Sequence, residues 1–488
     1  LMNLVPWGNY WLPMLPMPNV LVAGLPGSGK TLFLRLLMQA ILQQSNCRSM
    51  VYDPKRELIQ YIDAMAPGRK IHILDPTDRD SPAWDIAADF PDHRDAPTLA
   101  GLFMNRRTET SASGEFFEGA EKTVMTAIIR GLQRKAPGRW DLRDVILAAL
   151  DESVAQQLIG NDCYARAYLK QLQTATEAGQ NVWLSFIVSL AKFEALAALW
   201  HHAKSKFSIK RDWMANPSIC VLGVSQTDPE IFAPFNRTLL RRMKECLMGQ
   251  PERPATRTCV VLDELPTLGN VADVVGEILR MGRSKRVGVL TAFQDINTLH
   301  KEYTESGAKG VLSNFSEVAI FRCQMETADW AAKLFGQTRW RRWTESYDPD
   351  PPRNYIPGAP DSPPFPKSTY QERFEDDFLV RPTEFTDLPR PSKSAGVGLH
   401  GFLRSTIYGR MKLSISSAEL SRRLILPPPG TRDAFIPRCP SEYELKAWEE
   451  SELERLGLIS RQLEMIQDKV RPAERERSSE DIDLRDFY

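Results

Sequence analysis

Residues 24–31 read Gly24-Leu25-Pro26-Gly27-Ser28-Gly29-Lys30-Thr31, directly behind the apolar run Val20-Leu21-Val22-Ala23. This pattern constrains the chain more than any other part of it. A glycine-rich loop between a buried strand and a helix lets successive backbone N–H groups turn inward, making a cradle for phosphate oxygens. Lys30 has the reach for β- and γ-phosphates, and the Thr31 hydroxyl is placed to meet Mg²⁺. The segment Leu32-Phe33-Leu34-Arg35-Leu36-Leu37-Met38 starts a helix whose N-terminal dipole adds to the same anion site. Gly24, Gly27, Ser28, Gly29, Lys30 and Thr31 are therefore expected to bind a nucleoside triphosphate.

Further short apolar runs read as buried parallel strands, each ending in a polar residue: Ser49–Tyr52, Lys70–Leu74, Ile219–Val224, Cys259–Leu262, Val287–Phe293 and Val318–Phe321. Alternating with helical segments, they predict an α/β fold, a doubly wound and mostly parallel sheet with its ligands at the strand C-termini. One run ends in Asp263-Glu264. With a P-loop upstream, Asp263 is expected to support the metal through its water shell and Glu264 to orient or deprotonate the attacking water. Gln294, at the tip of the Val287–Phe293 run, is placed to sense the γ-phosphate. Arg280, Arg283, Lys285 and Arg286 form a basic turn, either a solvated face or the source of an arginine finger for a neighbouring subunit.

Between residues 96 and 212 the periodicity becomes helical. Phe116, Ala120, Val124, Ile128 and Leu132 recur at a spacing of four, and Asp141 is placed to cap a helix carrying Leu142, Val145, Ile146, Ala149 and Leu150. The stretch Val182–Trp200 is nearly all apolar. Lys192 and Glu194 near its end favour a single buried helix over a membrane span. The organisation expected is a first ATPase part at 1–95, an all-helical insertion at 96–212 and a second ATPase part at 213–345. A proline-rich linker or arm (Tyr347–Pro366) and an extension returning to the core then fill 346–440. An acidic amphipathic helix over 441–470 and a charged, disordered tail complete 441–488.

With 488 residues, the chain is too long for one compact core and two or three domains are expected. Lys plus Arg equals Asp plus Glu at 62 each, so any polyanion site must be local. The seven cysteines (47, 163, 220, 246, 259, 323, 439) have no CxxC spacing, which argues against a disulfide frame or a zinc site. The start, Leu1-Met2-Asn3, lacks the basic region of a signal peptide, and sequence upstream of it is expected to be missing.

Together these segments resemble the type IV coupling proteins of conjugation and type IV secretion (the TraG/TraD group), within the hexameric DNA-pumping P-loop ATPases. Val51-Tyr52-Asp53-Pro54-Lys55-Arg56-Glu57-Leu58 is similar to that family's Asp-Pro-Lys-Gly-Glu segment, with Arg56 in place of Gly. Val261-Leu262-Asp263-Glu264-Leu265-Pro266-Thr267-Leu268-Gly269 is similar to its Asp-Glu-Phe-Pro-x-Leu-Gly box, with Leu265 for Phe. Met281-Gly282-Arg283 with Thr291-Ala292-Phe293-Gln294-Asp295, then Phe321-Arg322 with Thr327-Ala328-Asp329-Trp330, extend the match to about residue 340.

The resemblance implies a Mg²⁺/ATP-dependent hydrolase that assembles as a homo-hexamer, with Arg283 as the finger between subunits. It further implies single-stranded DNA or relaxase–DNA complexes as substrate and the ATPases of the secretion channel as partners. The place implied is the bacterial cytoplasm at the inner-membrane face, with membrane association through missing or partner transmembrane segments. Two alternatives share these residues: a soluble DNA translocase, and a nucleotide-switched receptor for secreted proteins. Arg339-Trp340-Arg341-Arg342-Trp343 reads either as a DNA contact, with charge for phosphates and rings for stacking, or as a cationic surface turn whose tryptophans pack on the body. Lys204, Lys206, Lys210 and Arg211 are a second basic group of the same kind.

Overall fold

The computed structural model describes residues 4–13, 17–104, 112–160, 162, 166, 177–223, 229–347, 350, 353–362, 368–427 and 435–458. The chain divides into two compact units. The first contains Leu1–Ile41, Val261–Arg283 and Gly288–Leu426; the second contains Leu42–Val260, Ser284–Val287 and Pro427–Tyr488. Strands are numbered in chain order through both.

In the first unit, β1 (Leu4–Trp7) and β2 (Tyr10–Pro13) form a hairpin. β3 (Val20–Ala23) is buried along its whole length, as a strand covered on both faces must be. It pairs in parallel with β10 (Val287–Phe293) and with β11 (Glu317–Ile320). In both pairings Ala23 is the last residue in register, opposite Phe293 on one side and Ile320 on the other. Helices Lys30–Leu42, Ile296–Tyr303 and Glu305–Leu312 make the crossovers that parallel pairing needs. The last of the expected strand runs begins one residue early, because Glu317 is buried in β11 and its carboxylate accepts from Thr406 N at 3.3 Å and Thr406 Oγ1 at 2.9 Å.

Residues 346–426 are part of this unit. β12 (Gln337–Tyr347) and β13 (Ser368–Phe378) pair antiparallel without a break, from Gln337↔Phe378 to Tyr347↔Ser368. The division expected between residues 345 and 346 therefore falls inside a strand. The Arg339–Trp343 stretch is likewise a strand rather than a turn, since its alternating side chains find cross-strand partners in residues 372–376. Of the proline-rich connection, residues 350 and 353–362 are described and carry turns and bends; the rest lies outside the described residues. β14 (Leu399–Ser405) then adds antiparallel to β11, and β15 (Gly409–Ile415) to β14. Segment 423–425 returns to the P-loop helix: Arg35 Nη2 donates to Ile425 O at 3.0 Å and Gln39 Nε2 to Arg423 O at 2.7 Å.

In the second unit β8 (Ile219–Gly223) lies between β4 (Cys47–Asp53) and β5 (Ile71–Leu74), parallel to both. Val224 and Ser225, expected at the end of β8, lie outside the described residues. Two short strands, β6 (Ala83–Trp84) and β7 (Lys206–Phe207), pair in parallel at the two ends of the helical segment. Its described helices are Ala96–Phe103, Ala112–Lys135, Leu142–Leu150, Glu152–Ile159, Glu177–Ala191 and Glu194–His201. Ala120, Val124, Ile128 and Leu132 are buried on one face, while the Phe116 side chain lies outside the described residues. Asp141 forms a reciprocal capping box with Asp144.

Two expectations change here. The 182–200 stretch is not one helix but two, meeting at a 53° bend. The bend buries Phe193 edge-on against Phe103, with ring centres 4.9 Å apart. Among the described residues no single helix is long and apolar enough to cross a membrane. Second, within 441–458 the described helices are a short 3₁₀ turn, Pro440–Tyr443, and a single α-helix, Glu450–Arg455. Side-chain ties hold the segment in place of helical regularity: Trp448 Nε1 donates to Asp144 Oδ1 at 2.9 Å, and Arg455 pairs with the same buried carboxylate. Residues 459–488, with the rest of the expected helix and tail, lie outside the described residues.

Candidate nucleotide site

Three adjacent strand ends of the first unit build the site. Beyond Ala23 the ladder continues for one step into the loop, with Gly24 N donating to Phe293 O at 3.3 Å and Leu25 N to Arg322 O at 2.7 Å. The loop thus hangs between the ends of β10 and β11. Gly27 has φ +71° and Gly29 φ +104°, conformations open to glycine and strained for other residues. Ser28 N closes the turn onto Leu25 O at 3.1 Å, and Phe33 N bonds Gly29 O at 2.9 Å as the helix begins. Lys30 is buried and its Nζ donates to Gly24 O, so the ammonium folds over the loop it belongs to. The Ser28 hydroxyl is buried with no hydrogen-bond partner among the described residues. A buried polar atom lying against Gly24 of the loop is an unmet bonding capacity of the kind a phosphate oxygen satisfies.

β9 (Arg257–Leu262) brings the second group of residues to the same edge. The Thr291 hydroxyl, on β10, donates to Leu262 O at 3.1 Å. Asp263 and Glu264 follow immediately, and both are buried. Glu264 sits in the left-handed region at φ +63°, where Thr267 N and Thr267 Oγ1 both bond its carbonyl, at 3.1 Å and 2.7 Å. The 3₁₀ turn Leu265–Leu268, with its proline, holds that conformation from the C-terminal side. Glu264 Oε2 is buried and has no hydrogen-bond partner among the described residues. A strained backbone carrying a buried carboxylate oxygen without a donor is costly to stability, a combination that clusters at functional sites.

Gln294 follows β10 as a half-buried bend residue. Its neighbour Asp295 caps the next helix through Thr298 N at 3.1 Å and accepts from Thr327 Oγ1 at 3.2 Å. Those bonds fix the backbone from which Gln294 projects. Lys30, Thr31, Asp263, Glu264 and Gln294 therefore leave the C-terminal ends of neighbouring strands, an arrangement of oxygen donors and one ammonium that suits a magnesium-bound polyphosphate.

The other residues singled out in the sequence have surroundings of their own. Arg283 follows helix Ala272–Met281 and is exposed, with no ion pair among the described residues. Lys285 and Arg286 are tied within the second unit, to the carbonyls of Gln250 and Pro254. Arg339, Arg341 and Arg342 each pair across the ribbon, with Asp376 at 3.7 Å, Glu372, and Glu375 at 3.3 Å. Lys204 and Arg211 face Asp80 and Asp85, at 3.1 Å and 3.0 Å.

Sequence reasoning missed one neighbour of the loop. A Cβ on Gly29 would come within 2.3 Å of Leu399 Cδ2 and 3.1 Å of Pro391 Cγ, so the segment leading into β14 lies on the loop. No spacing in the sequence marks that tertiary contact.

The fold and these strand ends define a P-loop NTPase. The family model for the type IV secretion-system coupling protein DNA-binding domain matches residues 15–392, and the chain belongs to that family. Among solved structures it is similar to the bacterial conjugative coupling protein TrwBdeltaN70 in its unbound monoclinic form. That match has 16% identity and a TM-score of 0.66, over 85% of this chain and 88% of the other. It is similar also to the plasmid coupling protein TrwB in complex with ADP and Mg²⁺, at 15% identity and TM-score 0.65, covering 90% and 91%. TrwB with the non-hydrolysable GTP analogue GDPNP gives 16% and 0.64, covering 85% and 89%. No curated protein matches the sequence at a significant level.

Proposed function

We propose that this coupling protein is an ATP hydrolase that drives single-stranded DNA, or a DNA–protein complex, toward a type IV secretion channel. The observation that carries the reading is the convergence of the P-loop, Asp263-Glu264 and Gln294 on one strand edge, with the unpartnered Ser28 hydroxyl and Glu264 carboxylate oxygen among them.

The loop amides and the Lys30 ammonium hold the β- and γ-phosphates. Thr31 and Asp263 are the oxygen donors for Mg²⁺, which when bound neutralises charge on the phosphates. Glu264 Oε2, having no donor of its own, takes a hydrogen bond from a water and holds it for in-line attack, accepting its proton as the P–O bond breaks. Gln294 contacts the γ-phosphate side of the site and reports its loss to the helix capped by Asp295. The exposed Arg283 acts on a neighbouring subunit's phosphates, which makes assembly into a ring, a homo-hexamer in this reading, part of the reaction. Its partners are single-stranded DNA with its relaxase and the channel ATPases, at the cytoplasmic face of the inner membrane.

ATP hydrolysis across protein concentrations, with and without single- and double-stranded DNA, tests the proposal beside Lys30→Ala and Glu264→Gln. Turnover should rise steeply with concentration, increase with DNA and vanish in both variants. Turnover indifferent to DNA and concentration would move the reading to a nucleotide-switched receptor.

A further inference from the structure

The ribbon β12–β13 pairs with no third strand among the described residues, so both of its outer edges carry open backbone groups. It is long, eleven residues a side, with continuous register and no proline in either strand. At about 3.3 Å per residue it extends roughly 35 Å. An edge of that length is a template for another strand unless something blocks it.

Its charges are sorted by strand. β12 carries Arg339, Arg341 and Arg342 against one acid, Glu345; β13 carries Glu372, Glu375, Asp376 and Asp377 against one base, Arg373. Edge protection is served by charge of one sign on both edges, since copies then repel. Here one edge is basic and the other acidic. The cross-strand pairs within the ribbon are largely exposed, of a kind that exchanges partners readily. One face also presents the exposed rings of Trp343, Phe374 and Tyr370, on the successive same-face pairs Arg341↔Phe374, Trp343↔Glu372 and Glu345↔Tyr370.

We propose that the ribbon is a self-association surface, in which the acidic β13 edge of one copy pairs with the basic β12 edge of the next. The two strands of a ribbon run oppositely, so this contact continues an antiparallel ladder and always leaves one edge of each sign free. That is a head-to-tail contact, able to close around a ring. A polyanion is the weaker occupant, because the acids of the ribbon outnumber its bases. The inference deepens the ring reading above by naming its contact surface, and it requires no nucleotide.

Complementation between charge variants of the full chain tests it, with association followed by sedimentation without nucleotide. The set Arg339→Glu/Arg341→Glu/Arg342→Glu makes both edges acidic, and Glu372→Arg/Glu375→Arg/Asp376→Arg makes both basic. Each alone should associate at least tenfold more weakly than wild type, and an equimolar mixture should regain association. A milder set, Glu372→Gln/Glu375→Gln/Asp376→Asn, keeps the shape of the ribbon and should weaken association severalfold. Neutral variants that assemble like wild type, or a mixture of folded variants that gains nothing, overturn the ribbon contact while a wild type that assembles keeps the ring. A wild type that stays monomeric removes both. Loss of single-stranded DNA binding in the acidic set with association intact would assign the surface to DNA instead.

Discussion

Leu399 presses on Gly29: the space a Cβ would need on that glycine is occupied to within 2.3 Å by Leu399 Cδ2. The glycine loop is thus shaped from outside as well as by its own glycines. Gly29→Ala should lose nucleotide binding, because the new methyl meets both that contact and a φ of +104°. Leu399→Ala should cost about 2–5 kcal/mol of stability and weaken nucleotide binding by loosening the loop. Thermal unfolding with and without nucleotide separates the two effects; a Leu399→Ala protein with unchanged affinity would disconnect the contact from binding.

Glu264 combines a left-handed backbone with an unpartnered buried oxygen, and two substitutions divide these properties. Glu264→Gln should keep nucleotide affinity within about twofold and lower turnover by about 10²-fold or more. Glu264→Gly should be equally inactive yet more stable by about 1 kcal/mol, since glycine relaxes the conformation and no carboxylate is left unpaired. A glycine variant that melts below wild type would show that the side chain stabilises the turn.

Arg283 is exposed and has no ion pair among the described residues, which suits action in trans. Arg283→Ala should retain nucleotide binding and lose turnover. Mixing it with Glu264→Gln should restore a fraction of activity, since some interfaces then pair an intact finger with an intact Glu264. Activity that stays absent in every mixing ratio argues that the arginine serves its own subunit.

The Asp53 carboxylate accepts from Glu57 N, Leu58 N and Ile59 N at 3.1, 2.8 and 2.9 Å. Burial nevertheless raises its pKa above the ordinary 3.8. A group with a raised folded pKa supports stability below its unfolded value, and that support is lost as pH rises through the folded one. Measured against Asp53→Asn, wild-type stability should therefore decline as pH climbs from below 3.8 through the raised value. A difference that is flat across that window would mean the three backbone donors cancel the cost of burial.

What was legible in the sequence follows from where the information lies. β3 and β10 have the limits the apolar runs gave, because strands buried on both faces leave continuous hydrophobic stretches. The helix cap at Asp141 was legible because capping is local. The ribbon was not, since its strands alternate charge and aromatic residues and each finds its partner across a proline-rich connection that signals only a break. Nor was the bend at Phe193, which depends on a ring from a helix far away in sequence. Arg56 is an intermediate case: it occupies φ +54°, where the resembling family has glycine, and its guanidinium bonds Asp75 and Thr77 and stacks on Phe435 at 3.8 Å. The substitution was visible, but not the contacts that offset its strain.

The parallel bridge of Ala83–Trp84 with Lys206–Phe207 has a consequence for how this chain can change. Everything between residues 85 and 205 leaves and returns through neighbouring strands, about 5 Å apart. Such a segment behaves as a cassette. Away from Asp144, which Trp448 and Arg455 hold, it can be lengthened or trimmed while those two strands stay where they are, and the loop-closure cost grows only slowly with its length. Its length and sequence can then change while the β6–β7 pair that frames it is kept.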